Sequence, residues 1–284
     1  MSFRAESRKR AGKAIVLHKI YAMNTIEKNI TPALFVSHGS PMNAIAENAY
    51  TNDLNKIGEK LKNVSAILVI SAHWETNGIY VTSSETLETY HDFRGFPNEL
   101  FAVEYPVKGA LELIPVIEKL IGEPLQRDDK RGLDHGAWSM LVHLFPEASI
   151  PVLQLSLDRT KTFEQHYDLA KKLAPLREQN VLILASGNVT HNFSHLDFSN
   201  VDAKPLDWAL KFDNTIKDAF TGNDPKTLVN IEKTSDVYRI NHPSNDHYIP
   251  LLYLMGVRNE NDEVIFPHMS WQHATMSMRH ILLS

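Results

Sequence analysis

The stretch Val64–Trp74, VSAILVISAHW, decides how the rest of the chain is read. Its first seven residues are almost all apolar, with no alternation of apolar and polar positions. A strand with one face in water alternates, so this run belongs to a strand covered on both faces, as at the centre of a sheet flanked by helices. It then runs through Ser71 and Ala72 into His73. Upstream, residues 51–62 (TNDLNKIGEKLK) place Leu54, Ile57, Gly58 and Leu61 at helical spacing. Before them, Ala33–Ser37 (ALFVS) is a shorter apolar run closed by the turn residues His38-Gly-Ser-Pro41. The three pieces form a β-α-β unit.

The alternation continues downstream. Strands are expected at 79–83, 151–157 and 181–185, with a last one near 263–267. Helices are expected at 109–121, with Pro115 as a candidate kink, and at 136–145, 205–221 and 246–256. Another near 162–178 carries Phe163, Tyr167, Ala170 and Leu173 along one face. No internal repeat, low-complexity segment or linker interrupts the pattern, so one α/β domain over residues 31–284 is expected.

Composition narrows the function. The 284 residues are 43% hydrophobic and 22% charged, with 12 Gly and 14 Pro, as in an ordinary globular protein. A formal charge of −5 argues against a nucleic-acid partner, and no apolar run is long enough to span a bilayer, so a cytoplasmic protein without a membrane partner is expected. Residues 2–22 carry Arg4, Arg8, Lys9, Arg10, Lys13 and Lys19 against Glu6 alone. Residues 1–30 therefore read as a basic, disordered leader, or as sequence upstream of a start at Met23. The apolar stretch Ala14–Leu17 is too short for a secretory signal.

There is no cysteine, which excludes disulfides, thiolate metal sites and a cysteine nucleophile. Any metal is held by nitrogen and oxygen, and the 14 histidines become the residues to place. Three strands run into histidine: Phe35-Val-Ser37 into His38, Leu68-Val-Ile-Ser-Ala72 into His73, and Ile183-Leu-Ala-Ser186 through Gly187-Asn-Val-Thr190 into His191. In open α/β sheets ligands bind beyond the carboxyl ends of the strands. One such histidine is more often a packed loop residue; three of them point to a shared metal site.

His247, in the first turn of the helix expected at 246–256 with Asp246 as its cap, is the fourth candidate. The positive end of the helix dipole favours its neutral, ligating form. His242, before Pro243, competes with it but suits a loop role better. His135 follows Asp134 ahead of the helix at 136–145. It reads either as an acid/base oriented by the neighbouring carboxylate or as part of a helix-start turn capped by Asp134. His18, His143, His166, His195, His268, His273 and His280 are read as structural or surface residues.

At these positions the sequence resembles the class III extradiol ring-cleaving dioxygenases, in the branch of 4,5-DOPA dioxygenase-like proteins. The likeness runs from about Pro32 to the C-terminus. Its motifs are Ser37-His-Gly-Ser-Pro-Met42, Ser71-Ala-His-Trp74, His91-Asp-Phe-Arg-Gly-Phe-Pro97, Leu133-Asp-His-Gly136, Gln154-Leu-Ser156, Ala185-Ser-Gly-Asn-Val-Thr-His191 and His247-Tyr-Ile-Pro-Leu-Leu252.

The resemblance implies a three-layer α/β/α domain around a mixed, mostly parallel sheet. It implies one divalent metal held by His38, His73 and His247, with His191 as a fourth ligand or a base, and His135 as catalytic acid/base. The substrates implied are O2 and a small, DOPA-like catechol, which loses its protons to His135 or His191. Many non-heme iron oxygenases use a carboxylate where this branch places His247, so Zn2+ is expected in purified protein and Fe2+ in catalysis. Trp74, His91, Phe93 and Phe96 are candidate walls for the ring, and Arg94 a candidate partner for a substrate carboxylate. The competing readings are a zinc hydrolase on the same histidines and a non-catalytic binding protein of the same fold.

Overall fold

The structure is a computed structural model and describes residues 30–284, so the expected basic leader lies, apart from its last residue, outside the described residues. The strands are β1 (Ala33–Ser37), β2 (Ala66–Thr76), β3 (Tyr80–Thr82), β4 (Thr86–Leu87), β5 (Val107–Lys108), β6 (Gln126–Asp128), β7 (Val152–Asp158), β8 (Val181–Gly187), β9 (Val264–Ile265), β10 (Trp271–Gln272), β11 (Met276–Ser277) and β12 (Ile281–Leu283). The main sheet has the order β6-β3-β7-β2-β8-β1-β12-β9. Its central run β7-β2-β8-β1 is parallel. β12 joins β1, and β9 joins β12, in antiparallel sense.

Successive residues of a strand point to opposite faces, and here that alternation feeds two cores. Phe35, Leu68, Ile70, Ile183 and Ala185 enter one. Leu34, Val36, Ile67, Val69, Leu182 and Leu184 enter the other. The second core is closed by α1 (Ala49–Leu61), whose Leu54, Ile57 and Leu61 are buried. The first is closed by α2 (Leu113–Ile121). α3 (His135–Leu144) joins α1 over the second core. α4 (Phe163–Leu173), α5 (Asp207–Thr221) and α6 (Ile249–Gly256) join α2 over the first. The result is the expected three-layer α/β/α arrangement around a mixed sheet.

Several boundaries differ from the sequence reading for definite reasons. α2 begins at Leu113, so Pro115 falls in the first turn, where its missing N–H has no intrahelical partner to lose and no kink is needed. α4 ends at Leu173, and Ala174–Gln179, which contains Pro175, continues as a 3₁₀ turn. α6 begins at Ile249 rather than 246, and Asp246 does not cap it but accepts from His247 Nδ1 through Oδ2. The strand near 263–267 is only the two-residue β9.

The C-terminal segment is anchored by Asp213 of α5, buried and paired with Arg279 through Nε (3.0 Å) and Nη2 (2.6 Å). The Ser277 hydroxyl donates to the same carboxylate. Among the described residues, no helix is long and apolar enough to cross a membrane.

Candidate metal centre

His38 follows β1, His73 lies in the second half of β2, and His191 follows β8, so three adjacent strands deliver histidines to the carboxyl end of the sheet. His247 arrives from the segment before α6, clamped to β8 where the Asn188 N–H donates to its carbonyl at 3.1 Å. Gly187 makes that approach possible: a Cβ there would lie 2.4 Å from the His247 oxygen. At the other strand end Gly39 takes φ +63° and turns the chain directly after His38.

His38, His73 and His247 offer one donor atom each, all within 4.8 Å of one another. The Nε2 atoms of His38 and His73 are 3.0 Å apart. Two nitrogens bound to one ion at about 2.05 Å stand about 2.9 Å apart at a right angle and about 3.4 Å apart at the tetrahedral angle, so this pair fits a shared ion.

Hydrogen bonds behind the rings fix which nitrogen is free. Ser186 Oγ spends its single proton on the Gly136 carbonyl (2.5 Å), so it accepts from His38 Nδ1–H at 3.0 Å. His247 Nδ1–H donates to Asp246 Oδ2 at 2.6 Å. In both rings the lone pair is left on Nε2. Burial pushes His38 and His247 well below the ordinary imidazole range, with neighbouring imidazoles adding to the effect. Burial and the His135 ring lower His73 to about 3. All three are therefore neutral, the form that ligates. For His247 the main cause is burial rather than the helix dipole.

His191 lies outside that triad. Its ring stacks on His247 with centroids 3.6 Å apart and planes 6° from parallel. Imidazole lone pairs lie in the ring plane, so stacked rings aim theirs side by side instead of at one point. Burial lowers His191 to about 4, the nearby Asp246 opposing the shift.

His135 opens α3 and packs 3.9 Å from His73, centroid to centroid. Asp134 does cap that helix, accepting from Ala137 N. Its carboxylate also takes bonds from Ser71 Oγ (2.7 Å), Gln154 Nε2 (2.5 Å) and Arg131 Nη2 (3.3 Å), and so it is not the acid that orients His135. That acid is Asp92, whose Oδ1 accepts from His135 Nδ1 at 2.8 Å and from its backbone N–H at 3.0 Å. Burial opposes the Asp92 charge, but the bonds from His135 and the nearness of His73 outweigh it and hold the carboxyl at about 2. The bond to Asp92 Oδ1 engages His135 through Nδ1, and Nε2 is the ring nitrogen that Asp92 leaves free.

The histidines open into a cavity of about 380 Å³ whose wall includes Asp92, Phe93 and Phe96. Three of the candidate substrate contacts are placed elsewhere. Trp74, next to His73 on β2, is buried outside the cavity wall and meets Arg131. His91 bonds to the Val103 carbonyl and packs on Trp138. Arg94 is exposed and outside the cavity wall. His242 is a core residue bonded to the Val189 carbonyl.

The sequence reading missed Asp92, Ser186, Phe193, Leu196, Phe198 and Met276. It also set aside His273, which lines the cavity from a backbone at φ +53°. The family signal lay in the His91–Pro97 motif, which contains Asp92, but nothing in its spacing ties that residue to His135.

Residues 31–281 match the family described as the catalytic LigB subunit of aromatic ring-opening dioxygenase. The chain is 38% identical over 252 residues to a 4,5-DOPA dioxygenase extradiol of Escherichia coli K12, covering 87% of this chain and 92% of that protein. It is 38% identical over 258 residues to a protein of the same description from Beta vulgaris, covering 88% and 96%. The crystal structure of an uncharacterized Escherichia coli K12 protein superposes with a TM-score of 0.79 at 33% identity, over 89% of this chain and 100% of that one. On this similarity, which spans residues 31–281 and with them every histidine of the site, the chain belongs to the LigB family of aromatic ring-opening dioxygenases.

Proposed function

We propose that this chain is a metal-dependent extradiol dioxygenase that opens a catechol ring with O2, with His38, His73 and His247 as the metal ligands. The observation that carries the reading is the triad itself: three neutral imidazoles on separate elements, two with Nδ1 committed to Ser186 and Asp246 so that Nε2 is free. A bound divalent ion supplies a Lewis acid for both catechol oxygens and, as Fe2+, a route for electrons from the ring to O2. Zn2+ suits the same imidazoles and is the ion expected in protein purified without added iron.

The chain's own residues do the rest. His135 Nε2 accepts a proton from a catechol hydroxyl while Asp92 steadies the imidazolium through Nδ1–H, and the same nitrogen returns the proton as the ring opens. His191, neutral and stacked on His247, is a second proton acceptor beside the site and holds the ligand ring in plane. Phe93 and Phe96 keep water from the reacting face.

DOPA, named in the description of the relatives, is the first catechol to assay. Protein loaded anaerobically with Fe2+ and exposed to O2 with a panel of catechols is expected to consume O2 and form a yellow ring-opened product. Absence of O2 uptake across the panel overturns the reading. Ester or amide hydrolysis by the zinc form, without O2 uptake, establishes the hydrolase instead.

A further inference from the structure

The cavity beside the histidines is unevenly furnished. Phe93, Phe96, Phe193, Leu196, Phe198 and Met276 supply its apolar wall. Phe193 and Phe198 are 63% and 77% exposed, large apolar rings left in water at this wall. Among the described residues, no Lys or Arg side chain lines the cavity. Arg94 is exposed and outside the wall. Arg131 is engaged by the His73 carbonyl, Asp134 and the rings of Trp74 and Tyr90. Among the described residues the one carboxylate in the wall is Asp92, with Oδ1 already given to His135.

We propose that this site selects neutral catechols carrying an apolar substituent over catechols carrying a carboxylate or an amino-acid side chain. The proposal rests on the catechol-opening reading above and names the substrate class for it. With the two hydroxyls held toward the histidines, a ring substituent extends along the phenylalanines. An alkyl chain there leaves water and gains about fourfold in affinity for each methylene buried. A carboxylate there loses hydration and, among the described residues, meets no Lys or Arg in the wall. The ammonium of an amino-acid substituent has Asp92 Oδ2 to approach, but its carboxylate faces the same apolar wall.

The test is equilibrium binding of 4-propylcatechol, 3,4-dihydroxyphenylpropionate and DOPA to the full-length, metal-loaded protein under anaerobic conditions, followed by the ring-opening rate of each on admitting O2. The three ligands share the catechol and a three-carbon chain, which ends in a methyl group in the first and a carboxylate in the other two, DOPA also carrying an ammonium on the middle carbon. 4-Propylcatechol is expected to bind at least about tenfold more tightly than either charged ligand. Phe198→Arg, at an exposed position, is expected to narrow that gap by tightening the propionate. The propionate or DOPA binding as tightly as 4-propylcatechol overturns the proposal. Should the ranking hold while none of the three is opened, the reaction assigned above fails and the selectivity stands. Should DOPA be opened and also bind best, the reaction stands and the selectivity fails.

Discussion

His38, His73 and His247 at the strand ends, and His268 and His280 beside Tyr50, are two groups of imidazoles, all buried but the half-buried His73, yet their nitrogens are spent differently. In the first group Ser186 and Asp246 each take an Nδ1–H from behind, and free Nε2 atoms gather in front. In the second, both His268 nitrogens are used, on Asp53 Oδ2 (2.9 Å) and Ser270 Oγ (2.7 Å). Neither nitrogen of fully buried His280 has a protein partner. Histidine density alone therefore does not make a metal centre. Hydrogen bonds that fix the tautomer and aim the lone pairs do.

The largest effect that can break this contrast is at the triad. His73→Ala is expected to lower ring opening by roughly a thousandfold or more and to leave the protein with little bound metal, since a Lewis acid contributes several kcal/mol to the transition state. Full activity in this variant would remove His73 from the ligand set. Next comes His135→Gln, for which metal content should be unchanged while turnover falls by about 10²–10⁴-fold, the usual worth of a positioned acid/base. A parallel loss of metal would make His135 a ligand instead.

A smaller effect probes the hydrogen bonds behind the triad. Asp246→Ala should weaken metal affinity by about 10–100-fold, with Asp246→Asn recovering part of it because the amide oxygen still accepts from Nδ1–H. Competition with a metal chelator reads both.

The smallest effect belongs to the second group. Burial pushes His280 down to about 3, the neighbouring His268 adding to the shift. Between the unfolded value near 6.5 and that folded value, the unfolded chain binds a proton that the folded chain does not, so stability falls as pH drops through this window. The slope is up to about 1.4 kcal/mol per pH unit for each such group. His280→Leu removes one of them, and urea unfolding at pH 6 and pH 5 should show a loss smaller by about 1 kcal/mol than in the natural sequence.

How much of this was legible in the chain follows from which interactions are local. The apolar runs 33–37, 66–70 and 181–185 specify buried parallel strands because local composition and burial agree, and each histidine beyond them inherits its position from the strand. What supports the histidines is long-range. Asp92 reaches His135 across 43 residues and Ser186 reaches His38 across 148, distances over which spacing carries no information. Trp74 adjoins His73 in sequence, but its indole packs on Arg131 outside the cavity, a contact 57 residues away in the chain. Phe193 and Phe198 sit in an irregular segment without periodicity. β12 is three residues long and was hidden by the same brevity, although it closes β1.

Metal content, determined in parallel for the natural sequence, His247→Ala and His268→Ala after saturation with Fe2+ and anaerobic dialysis, tests the centre most directly. One equivalent in the natural sequence and in His268→Ala, with close to none in His247→Ala, is the predicted result. One equivalent retained in His247→Ala, or its loss in His268→Ala, would contradict the assignment of the ion to the strand-end triad.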